Sequence, residues 1–349
     1  MYKALIRPIL FLIAPEKVHQ LVVFVVRLLC SIPGVRIVIR NYLSYSHPLL
    51  KTSICGLEFV NKVGMAAGFD KSADFFDEFS IFGFSFIEIG TVTPLPQPGN
   101  PKPRLFRLVK DNALINRMGL NNKGVEHAVN KLKNRNKSII IGGNIGKNTH
   151  TPNEKAVEDY ERCFKQLYDV VDYLAINVSC PNIKDMKKLQ DHDSLKEILE
   201  RIMKVRSVKP IYKPVFLKIS PDLSFKHLDE IITLYHEVGL DGIIATNTTI
   251  NRNDLNTDEN IVTEIGSGGL SGDPLKKRSL EIVSYICKQS ENIIPVIGVG
   301  GIMTAGDAID MINAGASLVQ VYTGFIYEGP FIVRRINKAL TVFLSEQKV

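Results

Sequence analysis

Several protein classes are set aside by what this sequence lacks. Its five cysteines, Cys30, Cys55, Cys163, Cys180 and Cys287, are scattered and form no C-x-x-C pair. Zinc sites draw their ligands from closely spaced groups, so this spacing argues against zinc, and no metal is expected. An odd, dispersed set fits free thiols in a reducing compartment. There is no G-x-x-x-x-G-K-[ST] loop and no dinucleotide fingerprint with its acidic partner. Long low-complexity tracts are missing. No apolar run approaches the roughly 20 residues of a spanning helix. The apolar N-terminus is interrupted by Pro8, by Pro15 to Lys17 and by Arg27. Lys3 and Arg7 ahead of Ile9 to Ala14 faintly resemble a signal peptide, but no clear small-residue cleavage site follows, and free cysteines disfavour export.

What is present is ample for a large α/β domain: 349 residues, 45% of them hydrophobic. The formal net charge is +7. A basic chain points to an anionic partner, whether nucleic acid, a membrane surface or an acidic small molecule, and otherwise to a solvated basic surface. No aromatic-interleaved basic patch marks RNA binding, so no nucleic-acid partner is expected.

Two regions emerge. Residues 1–45 read as short amphipathic helices, over Leu5 to Ile13 and Glu16 to Leu29, followed by Val35 to Arg40 with alternating apolar and basic residues. An apolar, basic helical pair suits a membrane interface. The competing reading is a helical cap on the main domain, which gives Arg36 and Arg40 no obvious task. In residues 46–349, strand-length apolar runs recur at Val63–Ala67, Phe86–Thr91, Ile139–Asn144, Tyr173–Val178, Val215–Ile219, Gly242–Asn247, Ile294–Val299 and Leu318–Tyr322. Helix-period segments separate them, such as Lys155–Asp169, Ser194–Val205, Lys226–Val238 and Ala305–Ala314. Such alternation predicts a (β/α)8 TIM-type barrel in preference to a doubly wound open sheet. Insertions over Pro94–Gly119, Pro181–Asp193 and Thr249–Pro274 follow strand C-termini and so build up the catalytic face.

The chemistry-bearing residues fall at those strand ends. Asn177-Val178-Ser179-Cys180-Pro181-Asn182 follows the fourth strand. Amides at both ends can grip a planar polar substrate, and a thiol between them can move a proton. A polar turn holding an inert cysteine is the plainer alternative. Gly300-Gly301 and Thr323-Gly324 follow strands seven and eight, where barrels commonly bind phosphate and glycine lets backbone N–H groups come close. Lys218 ends an apolar strand. A buried lysine needs a negative partner, and a group that becomes negative during turnover, such as a reduced flavin, would supply one.

Together these residues resemble the dihydroorotate dehydrogenases, specifically the membrane-associated, quinone-dependent class 2 group. The resemblance covers nearly the whole chain: the N-terminal helices, Ala66 to Lys71, Pro98 to Arg104, Asn116 to Gly119, Asn177 to Asn182, Ala245 to Thr249, Gly268 to Gly272, Gly298 to Gly301 and Tyr322 to Gly324. It implies that dihydroorotate is oxidised to orotate in pyrimidine synthesis. A proton leaves ring carbon 5, a hydride passes from carbon 6 to FMN, and electrons continue to ubiquinone or menaquinone. FMN would be held by Ala67, Gly68, Lys71, Thr91, Asn144, Asn177, Lys218, Thr246, Gly272, Gly301, Tyr322 and Thr323. The pyrimidine would be held by Lys71, the segment Asn116, Arg117, Met118, Gly119 and Leu120, and by Asn177, Asn182, Asn247 and Thr248. Arg107 and His19 match the quinone tunnel, and the implied location is peripheral, on the cytoplasmic side of the inner membrane. Cys180 stands where class 2 proteins usually carry a serine base and so resembles the soluble class 1. Leu120 replaces a usual phenylalanine, and Lys184-Asp185-Met186-Lys187 lacks the usual Gly-Leu-Arg. The alternatives are another FMN barrel oxidoreductase, such as a tRNA dihydrouridine synthase, or a class 1-like enzyme with a soluble acceptor.

Overall fold

Eight short, buried and mostly apolar strands dominate the computed structural model, which describes residues 2–179, 181, 182, 189 and 191–347. They are β1 (Val63–Met65), β2 (Phe86–Val92), β3 (Ile140–Ile145), β4 (Tyr173–Asn177), β5 (Val215–Ile219), β6 (Gly242–Ala245), β7 (Val296–Val299) and β8 (Leu318–Val321). Every neighbouring pair is parallel, and β1 pairs with β8 to close the barrel. Helices return the chain between strands, including Ala156–Leu167, His192–Ser207, Phe225–Val238 and Ala305–Asn313. Local chemistry sets their ends. The Ser224 hydroxyl caps Phe225–Val238 by accepting from the His227 N–H, and Gly239 ends that helix at φ 72°. Thr304 and Asp307 form a reciprocal capping box on Ala305–Asn313.

The eight expected strands are all present. Several stop earlier than the apolar pattern suggests: β1 ends at Met65 rather than Ala67, and β6 at Ala245 rather than Asn247. The residues beyond those ends leave the ladder to form the barrel mouth.

Below the mouth the barrel is filled by an aromatic layer. Phe86, Tyr173 and Phe216 are buried side by side, with ring centroids 6.4 Å apart for the first pair and 5.4 Å for the second. Each lies opposite a glycine on the adjoining strand: Gly64 pairs with Phe86, Gly142 with Tyr173 and Gly242 with Phe216. A Cβ on any of these glycines would overlap the facing ring. Each large ring thus has a glycine opposite it on an adjoining strand, which makes room for the aromatic layer inside the barrel. A hairpin, Thr52–Ile54 and Leu57–Phe59, closes the bottom, with Phe59 edge-on to Phe86 at 5.4 Å.

Two of the insertions meet above the mouth. Leu105–Leu108, Ala113–Asn116 and Gly269–Gly272 form a three-stranded antiparallel sheet. Asn116 therefore sits beside Gly269 rather than in a free loop.

The N-terminal segment forms α1 (Arg7–Phe11), α2 (Pro15–Ser31) and α3 (Val35–Leu43). Among the described residues no single helix is long and apolar enough to cross a membrane, and α2 and α3 meet at 119°. Val26 and Leu43 are buried, whereas Leu21, Phe24, Leu28, Ile37, Val38 and Tyr42 are exposed. One expectation is corrected here. Arg36 does serve a cap: its guanidinium donates to both Asp77 carboxylate oxygens at 2.6 and 2.7 Å and to the Ser80 hydroxyl at 3.2 Å. Arg27 to Glu78 at 2.8 Å and Glu16 to Arg104 at 2.9 Å add further ties to the barrel.

The glycine–aromatic layer is testable by stability alone. Gly142→Ala should lower unfolding stability by about 1–3 kcal/mol through overpacking against Tyr173. Gly306→Ala, in a helix with only Thr304 Oγ1 nearby at 3.6 Å, should be neutral or stabilising. Equal denaturant midpoints for the two variants would contradict this packing.

Candidate active site

The strand ends converge on a cavity at the barrel mouth. Its lining includes Ala67, Gly68, Lys71, Thr91, Asn116, Met118, Leu120, Asn177, Asn182, Lys218, Thr246, Asn247, Thr248, Gly272, Gly301, Tyr322 and Thr323. Most of the expected site residues are thus brought together. Asn144 stands one layer back, where its Oδ1 accepts from the Thr91 hydroxyl at 2.5 Å. Arg117 is turned to protein carbonyls, donating to Pro103 O and to Ile265 O at 2.8 Å, and neither it nor Gly119 is in the lining. Cys180 lies outside the described residues, as do Lys184 to Lys187. The neighbours of Cys180 are described: Ser179 is buried and donates to Lys218 O at 3.1 Å, and Asn182 donates to Asn116 Oδ1 at 2.8 Å.

The most buried charge is one that sequence reasoning missed. Glu88 is fully buried inside the barrel. Its Oε1 accepts from Lys218 Nζ at 3.1 Å and from Asn144 Nδ2 at 2.8 Å. Its Oε2 accepts from Tyr173 Oη at 3.2 Å and from Gln320 Nε2 at 2.8 Å. Lys218 therefore has a carboxylate partner within the protein, 3.1 Å away. The signal was an acidic residue in the run Phe86–Thr91, in phase with Phe86 and so facing inward. Beside this carboxylate, burial drives the Tyr173 phenol well above its ordinary range, and the Glu88 charge adds to the effect.

The site can hold a planar, polar cofactor with a phosphate. Gln320 lines the cavity and its buried Oε1 has no hydrogen-bond partner among the described residues, which suits a ligand N–H. The glycine-rich wall at Gly300 and Gly301 has positive φ values of 114° and 72°. A Cβ on Gly301 would strike the start of the helix Lys276–Gln289, so that wall admits backbone approach only with glycine. Ser271 and Thr323 hydroxyls, 2.8 Å apart, complete it.

A second, larger chamber of about 780 Å3 opens between α1, α2 and the barrel. It falls within the size range of small-molecule sites. It shares Gly68, Lys71, Leu105, Leu114, Met118 and Tyr322 with the first cavity. Arg107 and His19 both line it. The Arg107 guanidinium donates to Ile13 O at 2.7 Å and lies 4.5 Å from the Phe11 ring centre, while its buried Nε has no partner among the described residues. The His19 ring packs edge-on to Phe69 and Phe75, at 4.9 and 5.2 Å.

Comparison with known proteins agrees with this geometry. The family model for dihydroorotate dehydrogenase matches residues 49–344. The chain belongs to the dihydroorotate dehydrogenase family. A protein named dihydroorotate dehydrogenase (quinone) from Christiangramia forsetii is 51% identical over 97% of this chain and 98% of its own length. Another of that name from a Roseiflexus species is 44% identical, covering 97% of this chain and 92% of its own. The crystal structure of a ligand-free dihydroorotate dehydrogenase from Eimeria tenella superposes with a TM-score of 0.85 at 37% identity, over 95% of this chain and 96% of that one.

His19 carries a pH prediction. Burial, reinforced by the Lys71 ammonium and opposed by Glu16, lowers its pKa from 6.5 to about 4. The imidazole is thus neutral at pH 7. The unfolded chain takes up that proton first, so this residue's contribution to stability is full above about 6.5 and is lost as pH falls toward 4. Its ring NMR signals should titrate near 4; a midpoint near 6.5 would show the ring is solvated.

Proposed function

We propose that this chain oxidises dihydroorotate to orotate with FMN as its resident cofactor and a membrane quinone, ubiquinone or menaquinone, as final acceptor. The observation that carries this is the pairing of an amide-lined polar cavity, anchored by Lys218, with an apolar chamber that shares one of its walls. A polar substrate and an apolar one can each have a suited site while remaining close together.

The chain's own residues have distinct tasks. Asn116, Asn177, Asn182 and Asn247 supply both donors and acceptors, which match a pyrimidine ring. The Lys71 ammonium, in the wall common to both cavities, offsets the substrate carboxylate. Cys180 takes the proton from ring carbon 5 as the general base. A bound FMN supplies the acceptor for the hydride from ring carbon 6 and the conduit for electrons to the quinone. Ala67, Gly68, Thr91, Thr246, Gly272, Gly301, Tyr322 and Thr323 would hold it, with Lys218 as the cation beside it. Arg107 and His19 would receive the quinone headgroup.

Residues 1–45 would form the membrane-associating and quinone-admitting unit, and residues 46–349 the catalytic barrel. The exposed Phe24, Leu28, Ile37 and Val38 suit a peripheral seat in the interface of the inner membrane, on its cytoplasmic side. A tRNA dihydrouridine synthase is not favoured, since the relatives found over nearly the full length are dihydroorotate dehydrogenases.

The direct experiment is anaerobic mixing of the yellow protein with dihydroorotate. The flavin absorbance should bleach and then recover with a quinone but not with fumarate or NAD. A protein that binds no FMN, or a spectrum that dihydroorotate leaves untouched, overturns the assignment.

Two variants divide the roles. Cys180→Ala should slow flavin reduction by about a hundredfold or more, the scale of a lost general base, while orotate still binds. If Ser179→Ala abolishes reduction and Cys180→Ala does not, the base is Ser179.

Deleting residues 1–45 should release the protein from liposomes and abolish turnover with long-chain quinones, with flavin reduction by dihydroorotate largely retained. Undiminished quinone turnover would remove the helices from the acceptor site.

A further inference from the structure

The N-terminal segment carries charge of nearly one sign. Residues 1–45 hold six basic residues, Lys3, Arg7, Lys17, Arg27, Arg36 and Arg40, against a single acid, Glu16. That acid and three that meet the segment from the barrel are already paired. Glu16 holds Arg104 at 2.9 Å, Asp77 holds Arg36 at 2.6 Å, Glu78 holds Arg27 at 2.8 Å and Glu328 holds Arg335 at 3.0 Å.

Other cations border the exposed apolar face of α2 and α3 with no ion pair among the described residues. Lys17 precedes Leu21 by four residues and Phe24 by seven, so it shares their face of α2. Arg40 follows Ile37 by three and is its neighbour on the surface of α3. Arg334 and Lys338 come from a different element, the barrel's last helix, Ile332–Glu346. Contacts carry that helix to the edge of the same face. Arg334 donates to Tyr42 O, and the Tyr42 ring packs edge-on to Phe331 at 5.2 Å. Lys338 Nζ, one turn further on, lies 5.8 Å from the centre of the Tyr45 ring. Tyr42 is itself 66% exposed and belongs to the apolar face.

The mixture narrows the partner. A nucleic acid would answer the cations but leave Phe24, Leu28, Ile37 and Val38 in water. A neutral lipid surface would cover those side chains but give the cations no counter-charge. Acyl chains beneath anionic headgroups do both, and tyrosine is at home at such a boundary. We propose that this face seats on an anionic phospholipid surface, and that the barrel's last helix binds it alongside the N-terminal helices through Arg334 and Lys338. This rests on the membrane seat in the proposed function and adds to it the headgroup charge and a second binding element.

The test is sedimentation of the full-length, flavin-loaded protein with vesicles of phosphatidylcholine, with and without phosphatidylglycerol. A cation near an anionic surface is worth about fivefold in partition, so the parent should bind the anionic vesicles about tenfold or more tighter. Lys338→Gln should weaken binding to anionic vesicles about fivefold, with parental binding to neutral ones and a parental unfolding midpoint. Lys204→Gln is the control. It removes an exposed cation from the helix His192–Ser207, which follows β4, across the barrel from the last helix, which follows β8. It should leave both affinities unchanged. Equal binding of the parent to the two vesicles overturns the headgroup charge. Parental binding by Lys338→Gln, or an equal loss in Lys204→Gln, overturns the role of the last helix. A parent that sediments with neither vesicle overturns the membrane seat itself, and this inference with it.

Discussion

A single buried ion pair organises the barrel interior. Moving a carboxylate and an ammonium out of water costs several kcal/mol each, and their attraction offsets this only when the remaining lone pairs and protons are also satisfied. Glu88 meets that condition on its side because donors from four strands reach its two oxygens. Tyr173 reaches the carboxylate from the aromatic layer below, Gln320 from β8, and Asn144 from the layer behind the site wall. The pair therefore joins two parts of the molecule with different requirements. Below it, packing is apolar and tight enough that the strands beside Phe86, Tyr173 and Phe216 carry glycine opposite each ring. Above it, the lining is polar. Tyr173 belongs to both, its ring filling the space that Gly142 vacates and its hydroxyl ending on Glu88.

The N-terminal helices show a comparable division across one element. Charged residues on their inner edges, Glu16, Arg27 and Arg36, are spent on the barrel. Their outer faces are left apolar and exposed at Phe24, Leu28, Ile37 and Val38. Ion pairs between partly exposed groups contribute little energy individually. Their value here is orientation: they fix which face of α2 and α3 turns away from the barrel, and they hold the helices far enough above it to leave the second chamber open.

Much of the fold was legible because a barrel strand is buried on both faces and so reads as a continuous apolar run. Val215–Ile219 matches its strand residue for residue, and the helices between strands differ from expectation by only a few residues. The strand ends were less legible, because Ala66-Ala67 and Thr246-Asn247 continue the local pattern while the chain leaves the ladder. The site residues came from the strand ends themselves and from resemblance. Glu88 escaped because a charge inside a strand-like run looks like an edge or an error until the partner 130 residues away is known. Long-range pairing of this kind, like the meeting of Asn116 with Gly269, has no local signature in sequence. Arg36 was misjudged for the same reason: nothing near it in sequence announces Asp77.

The shared wall between the two cavities is the last constraint, and it follows from the others. A polar substrate and an apolar acceptor cannot use one lining, because burying amides against an apolar ring leaves them unpaired, and each unpaired group costs about 1–3 kcal/mol. Separate linings remove that conflict, but transfer of electrons between two ligands needs them close. Residues that line both cavities resolve both demands, and they have to be groups tolerable on either side. Gly68 offers almost no side chain, Met118 and Leu114 are apolar, and Tyr322 and Lys71 are amphipathic, with an apolar body and a polar tip. The composition of that wall is what two chemically opposed neighbours require, and it places the polar site and the apolar chamber within one barrel mouth.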